Sequence, residues 1–267
     1  MSQASYQFDH EWELERQRLR SFELVTDPST IRTLQEIGVA LKWHCLEMGA
    51  GGGSIADWLC QRVGAEGRVV AADIEIKFLK ELDYTNLAVL EHNLIIDQLP
   101  ESEFDLAHER SVLAHLPQRE EILKKLANAV KPGGWLFVEE PDCIIFGVDP
   151  SVPPPMRDAA KIVDDAIIQV LESIGADAYF GGRIFGLLRS IGLDSVQGRG
   201  EVSVCHGGTA SIEFFKLTAQ RLRPAILATG HVTEADFDEY LTFYDDPSYA
   251  LRILMVHAWG RKHIVAD

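Results

Sequence analysis

The sequence predicts an α/β fold: a mostly parallel β-sheet with helices packed on both faces. Two observations carry this. Strand and helix signals alternate between residues 43 and 140, which implies parallel βαβ units. The strand segments, such as "RVVAA" at 68–72, are near-continuous apolar runs, as a sheet buried on both faces requires. With 267 residues and 46% hydrophobic content, the chain can bury one large domain with embellishments.

In chain order, a helix is expected from Asp9 to about Leu24, with Trp12, Leu14, Leu19 and Phe22 among charges. Asp27 and Pro28 should break it, and "STIRTLQEIG" should form a second helix ending at Gly38. "WHCLEM" then reads as a strand, "SIADWLCQRV" as a helix, "RVVAAD" as a strand, "IKFLKEL" as a helix and "LAVLEHN" as a strand. "FDLAHE" is a further strand, "REEILKKLANAV" a helix and "WLFVEE" a strand. Beyond it, "RDAAKIVDDAIIQVLESIG" and "GRIFGLLRSIGL" are helical and "DSVQGRGEVSVC" is a strand. Helical stretches from Ser211 to about Ala228 and in "EADFDEYLTFY" lead to a last strand, "ALRILMVHAWGRK". The Pro153 to Pro155 run punctuates an insertion and is no domain boundary.

Composition narrows the function classes. The net charge of -16 repels phosphate backbones, so no nucleic-acid partner is expected, and "ERQRLR" at 15–20 alternates signs as a solvated helix face does. No apolar run approaches a membrane span and no secretory leader is recognised, so a cytoplasmic protein without a membrane partner is expected. Cys45, Cys60, Cys143 and Cys205 are far apart, with no spacing that would ligate a metal, and they read as small buried thiols.

The stretch "LEMGAGGGSIADWL", residues 46–59, places glycines at the junction of a strand and a helix. Ser54 can cap that helix with Asp57 reaching back, and the loop lets a ligand approach the backbone. "GGGSIA" satisfies the loose GxGxxA pattern, which keeps an NAD(P)-dependent oxidoreductase open as an alternative. Glu47 at the strand end opposes a pyrophosphate but attracts an ammonium. Asp73, twenty residues beyond Gly53, can accept hydrogen bonds from both hydroxyls of a ribose. A ligand with an amino group, a ribose and no phosphate fits this pair, and S-adenosylmethionine is such a ligand.

Here the chain resembles the class I methyltransferase family that uses S-adenosylmethionine. "LEMGAGGG" is similar to the family's glycine motif, "VVAADI" to its ribose motif, "EHNLIIDQLPESEFDLAHERSVLAHLPQREEIL" to the stretch from strand three through strand four and the next helix, and "VKPGGWLFVEE" to strand five. The resemblance implies a Rossmann-like three-layer sandwich with a seven-stranded sheet whose last strand is antiparallel. Residues 1–38 would be an N-terminal helical lid, and residues 39–267 the cofactor-binding domain with cap insertions at about 146–178 and 206–247. Cofactor contacts are implied for Glu47, Gly49, Ala50, Gly51, Asp73, Ile74, Asn93, Leu94 and Arg110, with His108 to Arg110 bordering the methionine arm. Asn93 stands where the family often has Asp.

Methyl transfer from a sulfonium needs no metal, and a base only where the acceptor must lose a proton. Candidate bases are His115, Glu139 and Tyr6. The strand-four end, "AHERS", lacks the signatures of methyltransferases acting on DNA bases, and no acidic cluster suits Mg²⁺. A small, largely apolar or aromatic acceptor remains, methylated on O, N or C with S-adenosylhomocysteine as product, in specialised metabolism. Phe146, Phe180, Phe185, Phe214, Phe215, Phe237, Tyr240, Phe243 and Tyr244 would line its pocket. A catalytically inactive cofactor-binding scaffold is the alternative from a different class, and a homodimer is left open.

Overall fold

The structure, a computed structural model, describes residues 14–264. Seven strands are present: β1 (His44–Met48), β2 (Arg68–Asp73), β3 (Leu87–Glu91), β4 (Phe104–Arg110), β5 (Val130–Val148), β6 (Asp194–His206) and β7 (Ala250–Arg261). They form one sheet in the order β3-β2-β1-β4-β5-β7-β6. The β1–β2, β1–β4, β2–β3 and β4–β5 pairs are parallel. At one end of β5 the Gly133 N–H donates to the Lys262 carbonyl, and at the other the Asp149 N–H donates to that of Ala250, so β7 runs antiparallel.

The helices are α1 (Glu15–Ile37), α2 (Ser54–Val63), α3 (Arg119–Ala129), α4 (Pro154–Ser173), α5 (Gly181–Ser190), α6 (Glu213–Ala228) and α7 (Glu234–Phe243). The chain divides into two units. One comprises Thr26–Glu140, Phe180–Glu201 and the chain from Met255 on. It is a three-layer sandwich because its strand residues alternate between two buried faces. Leu46, Met48, Val70, Ala107, Leu136 and Val138 pack with Ile122, Leu123 and Leu126 of α3 and Ile184 and Leu188 of α5. Cys45, Val69, Leu106, Phe137 and Trp259 pack with Leu34 of α1 and Ile55, Leu59 and Val63 of α2 on the other face.

The second unit comprises the chain up to Val25, Pro141–Tyr179 and Val202–Leu254. Its interior holds Phe237, Tyr240, Tyr244 and Tyr249, with the Tyr240 hydroxyl donating to Asp164 at 2.6 Å and that of Tyr244 donating to Tyr240 at 2.6 Å. Most of the aromatic set expected to line a pocket is therefore core: Phe237, Tyr240, Phe243 and Tyr244 in this unit and Phe180 in the other are buried, whereas Phe185 is 40% exposed.

Two elements differ from expectation. "IKFLKEL" forms only a 3-10 turn, Leu79–Glu81, because its buried residues, Phe78 and Leu79, serve a single turn. Residues 15–37 form one helix that continues through Pro28. The proline leaves the Leu24 carbonyl without its i+4 donor, but Leu24 is 56% exposed and solvent can take that bond. Past the proline, Thr30 Oγ1 lies 3.1 Å from the Thr26 carbonyl, Thr33 Oγ1 donates to that of Ser29, and Leu34 anchors the helix in the core. Pro28 is exposed and makes no required side-chain contact, so Pro28→Ala should stabilise the fold by about 1 to 3 kcal/mol, read from urea unfolding. A destabilised variant would show that the proline's effect on the unfolded chain outweighs the lost helical bond.

Candidate functional site

The glycine loop between β1 and α2 is pinned to the end of β2. The N–H groups of Gly49 and Ala50 donate to the Ala72 carbonyl at 2.8 and 3.1 Å, and the Gly51 N–H donates to Asp73 Oδ2 at 2.8 Å. Gly49 has φ +69° and a Cβ there would overlap Val112 Cγ2, so both conformation and space demand glycine. The expected Ser54 cap is not formed. Gly53 occupies the cap position in left-handed conformation at φ 92°, and Ser54 Oγ instead donates to Asp27 Oδ1 at 3.1 Å. The first amides of α2 thus have no side-chain cap.

The candidate cofactor residues cluster around this loop with individual differences. Asp73 is 8% exposed, and its Oδ1 also accepts from the Glu75 N–H at 3.2 Å. Ile74 beside it is 45% exposed. The Asn93 amide oxygen accepts from the Ile95 N–H at 3.0 Å, closing a turn, and Leu94 is buried with its carbonyl taken by Lys125 Nζ at 2.7 Å. Arg110 donates to Thr30 Oγ1 at 2.8 Å and to Asp27 Oδ1 at 2.9 Å. Of the candidate bases, His115 is half-buried at the end of the 3-10 turn Leu113–His115, and Tyr6 lies outside the described residues.

Glu139 requires a correction. It does not stand open as a base but is fully buried, with Oε1 2.8 Å from His108 Nε2 and Oε2 3.0 Å from both Thr30 Oγ1 and His257 Nε2. Burial would raise its pKa, but the hydrogen bond with His108 and the close approach of His257 outweigh that and hold it well below the usual carboxylate range. A carboxylate so stabilised is a poor proton acceptor.

Glu139 belongs to a row of polar groups on the α1 and α2 face, one from each of four adjacent strands. Glu47 of β1 pairs in register with His108 of β4, and Glu47 Oε2 lies 2.6 Å from His108 Nδ1. Next comes Glu139 of β5, then His257 of β7, whose Nδ1 is 3.2 Å from Thr33 Oγ1. Burial pushes the His108 imidazolium towards neutrality, but the charge of Glu47 and the hydrogen bonds to Glu139 and Glu47 raise its pKa to about 9. Phe137 lies between the two imidazoles, with ring centroids 4.8 Å from His108 and 5.7 Å from His257.

On the opposite face, Glu109 and Glu140 are both fully buried. Glu109 Oε2 accepts from the Val112 N–H at 3.2 Å and Glu140 Oε1 from the Ala114 N–H at 3.1 Å, which holds the turn after β4. Their other oxygens, Glu109 Oε1 and Glu140 Oε2, have no hydrogen-bond partner among the described residues. Burial, then mutual repulsion, raises Glu109 well above the ordinary carboxylate value, and burial raises Glu140 to about 7. Among the described residues, no group of three or more His, Cys, Asp and Glu side chains is placed to hold a metal ion.

Sequence reasoning missed the roles of His257, Thr30, Thr33 and the Glu109–Glu140 pair. The available signal was their polarity inside strands otherwise apolar, since a buried polar group demands a partner.

Residues 46–136 match the family model of a methyltransferase domain. A methyltransferase of Strobilurus tenacellus, str3, is 36% identical over 93 residues, 34% of this chain and 31% of that protein. A ubiquinone biosynthesis O-methyltransferase of Hydrogenovibrio crunogenus is 35% identical over 97 residues, 34% of this chain and 40% of that protein. The chain thus spans about a third of the length of the curated relatives it matches. Among solved structures, phosphoethanolamine N-methyltransferase 2 of Haemonchus contortus, in complex with phosphomonomethylethanolamine and S-adenosylhomocysteine, shares the fold at TM-score 0.59 and 11% identity, over 98% of this chain and 61% of that one.

The carboxyl pair sets a pH dependence of stability. Glu140 is raised from the ordinary 4.5 to about 7, so its contribution is fully present below about pH 4.5 and is lost as pH rises through about 7. Glu140→Gln keeps an acceptor for the Ala114 N–H and can donate to Glu109. The decline in Tm of the wild type between about pH 5 and about pH 8 should therefore be flatter in the variant. Parallel Tm curves would show that Glu140 does not titrate in this window.

Proposed function

We infer that this chain, which belongs to the class I S-adenosylmethionine-dependent methyltransferase family, transfers a methyl group to a small, largely apolar or aromatic acceptor. The observation that carries this reading is the pairing of two carboxylates with a glycine loop. Asp73 stands at the end of β2 holding the Gly51 N–H, and Glu47 stands at the end of β1 with one oxygen on His108. Residues 46–59 contain no Lys or Arg, so the loop offers a pyrophosphate no counter-charge and two opposing acids.

The same residues suit an adenosyl amino acid. Asp73 would accept from the ribose hydroxyls, Ile74 would pack on the adenine, and the Leu94 N–H would meet the ring edge. Glu47 would accept from the ammonium, and the uncapped amides of α2 would receive the carboxylate. When bound, S-adenosylmethionine supplies a methyl group on a sulfonium that is already a good leaving group. The chain then needs to align the acceptor, exclude water and, for an acidic O–H or N–H, remove a proton. His115 is the candidate for that proton. No helix among the described residues is long and apolar enough to cross a membrane.

Calorimetry on the wild type should show binding of S-adenosylhomocysteine and none of NAD, and the reverse result would end this reading. Asp73→Ala should weaken S-adenosylhomocysteine by about 10- to 100-fold, or roughly 1 to 3 kcal/mol, because ribose hydroxyls lose a charged acceptor. An unchanged Kd would remove Asp73 from the site. Incubation with methyl-labelled S-adenosylmethionine and a library of apolar and aromatic acceptors then tests transfer directly.

A further inference from the structure

The proposed site depends on Glu47, and Glu47 depends on His108. The Glu47 carboxylate is 4% exposed, in the strand next to one that contributes a second buried acid system. Among the described residues its one side-chain hydrogen bond is the 2.6 Å contact of Oε2 with His108 Nδ1. The opposite ring nitrogen is held by Glu139 Oε1 at 2.8 Å, so the imidazole is gripped on both sides and has no freedom to turn. Phe137 packs on it, and Glu139 is itself held by Thr30 and His257. The contact passes Glu47 a fixed orientation and a counter-charge.

We propose that His108 is a positioning residue for cofactor binding: it holds the Glu47 carboxylate in place through Oε2 and leaves Oε1 as the acceptor for the amino group of an adenosyl amino acid. The inference rests on the methyltransferase reading above and adds to it a residue that acts through Glu47. The physical reason is electrostatic. Without His108, two buried carboxylates on one face of the sheet, Glu47 and Glu139, would have no cation between them, and the better-partnered Glu139 would keep its charge. Glu47 would lose its one side-chain hydrogen bond and swing away from its present orientation, and a misplaced carboxylate holds an ammonium weakly. The raised pKa of His108 is consistent with an imidazolium lodged between two anions.

The test separates this role from mere support of the fold by using two ligands that differ only in what Glu47 should touch. S-adenosylhomocysteine carries the amino-acid arm, whereas 5′-methylthioadenosine keeps adenine and ribose and lacks it. By calorimetry, His108→Gln should weaken S-adenosylhomocysteine about 10- to 100-fold and change 5′-methylthioadenosine by no more than about 2-fold. Glu47→Gln should show the same selectivity. Equal weakening of both ligands in His108→Gln would mean a general structural role, and unchanged S-adenosylhomocysteine affinity would mean none, and either overturns the proposal. Should His108→Gln fail to fold, the wild type labelled at histidine gives the answer by NMR. S-adenosylhomocysteine should shift the His108 imidazole resonances and 5′-methylthioadenosine should not; the absence of that difference overturns the proposal. A wild type that binds neither ligand overturns the methyltransferase reading itself, an outcome distinct from loss of selectivity.

Discussion

A carboxylate buried in the middle of a β-sheet needs a counter-charge, and the contact between Glu47 and His108 supplies it. The register of β1 and β4 makes this contact automatic, because Glu47 and His108 lie directly opposite one another. The cation cannot serve one anion alone, since its second nitrogen must also be satisfied, and Glu139 on the next strand does that. Glu139 then has an oxygen to spare, which Thr30 and His257 take up. A single acid at the rim of the glycine loop thus commits three further strands and a helix.

The two faces of the same sheet handle buried acid in different ways. On the α1 and α2 face, carboxylates alternate with imidazoles, and the pKa values of His108 and Glu139 are driven apart, His108 up and Glu139 down. On the α3 and α5 face Glu109 and Glu140 have no ion pair among the described residues, and both carboxyls shift towards the protonated form. The first arrangement suits attraction of a cationic group, because charge is retained at the strand end. The second suits anchoring, because each carboxyl accepts a backbone N–H from the turn that carries His115. Adjacent residues of one strand, His108 and Glu109, are sorted into these roles by the period of two along a strand.

The sheet and the glycine loop were legible because each is written in local pattern. The apolar run of "RVVAAD" and the stripe of "SIADWLCQRV" match β2 and α2 in extent. What was not legible depends on neighbours distant in sequence. Ser54 is a fair capping residue by local rules, yet Asp27 claims its hydroxyl from 27 residues away. Pro28 is a helix breaker by local rules, yet packing on both sides of it keeps α1 continuous. Glu139 occupies the end of a strand, where alternation alone says only which face it takes, and pairing with two histidines decides that it is a structural anion.

The continuity of α1 has a consequence for the site. Asp27, Thr30 and Thr33 recur every three residues and therefore share one side of the helix. Asp27 meets Arg110 of β4 and Ser54 at the start of α2, Thr30 meets Arg110 and Glu139, and Thr33 meets His257. A break at Pro28 would separate Asp27 from the two threonines and pull apart the two side chains of α1 that meet the Arg110 guanidinium. This side of α1 joins the first turn of α2, above the glycine loop, to the far end of the row at His257. Helix continuity, more than helix propensity at Pro28, is what the buried charges require, since removing one partner from a buried ionic cluster costs about 3 to 5 kcal/mol, comparable to the roughly 3 kcal/mol of a proline inside a helix. The local rule yields because the long-range charges are at least as demanding.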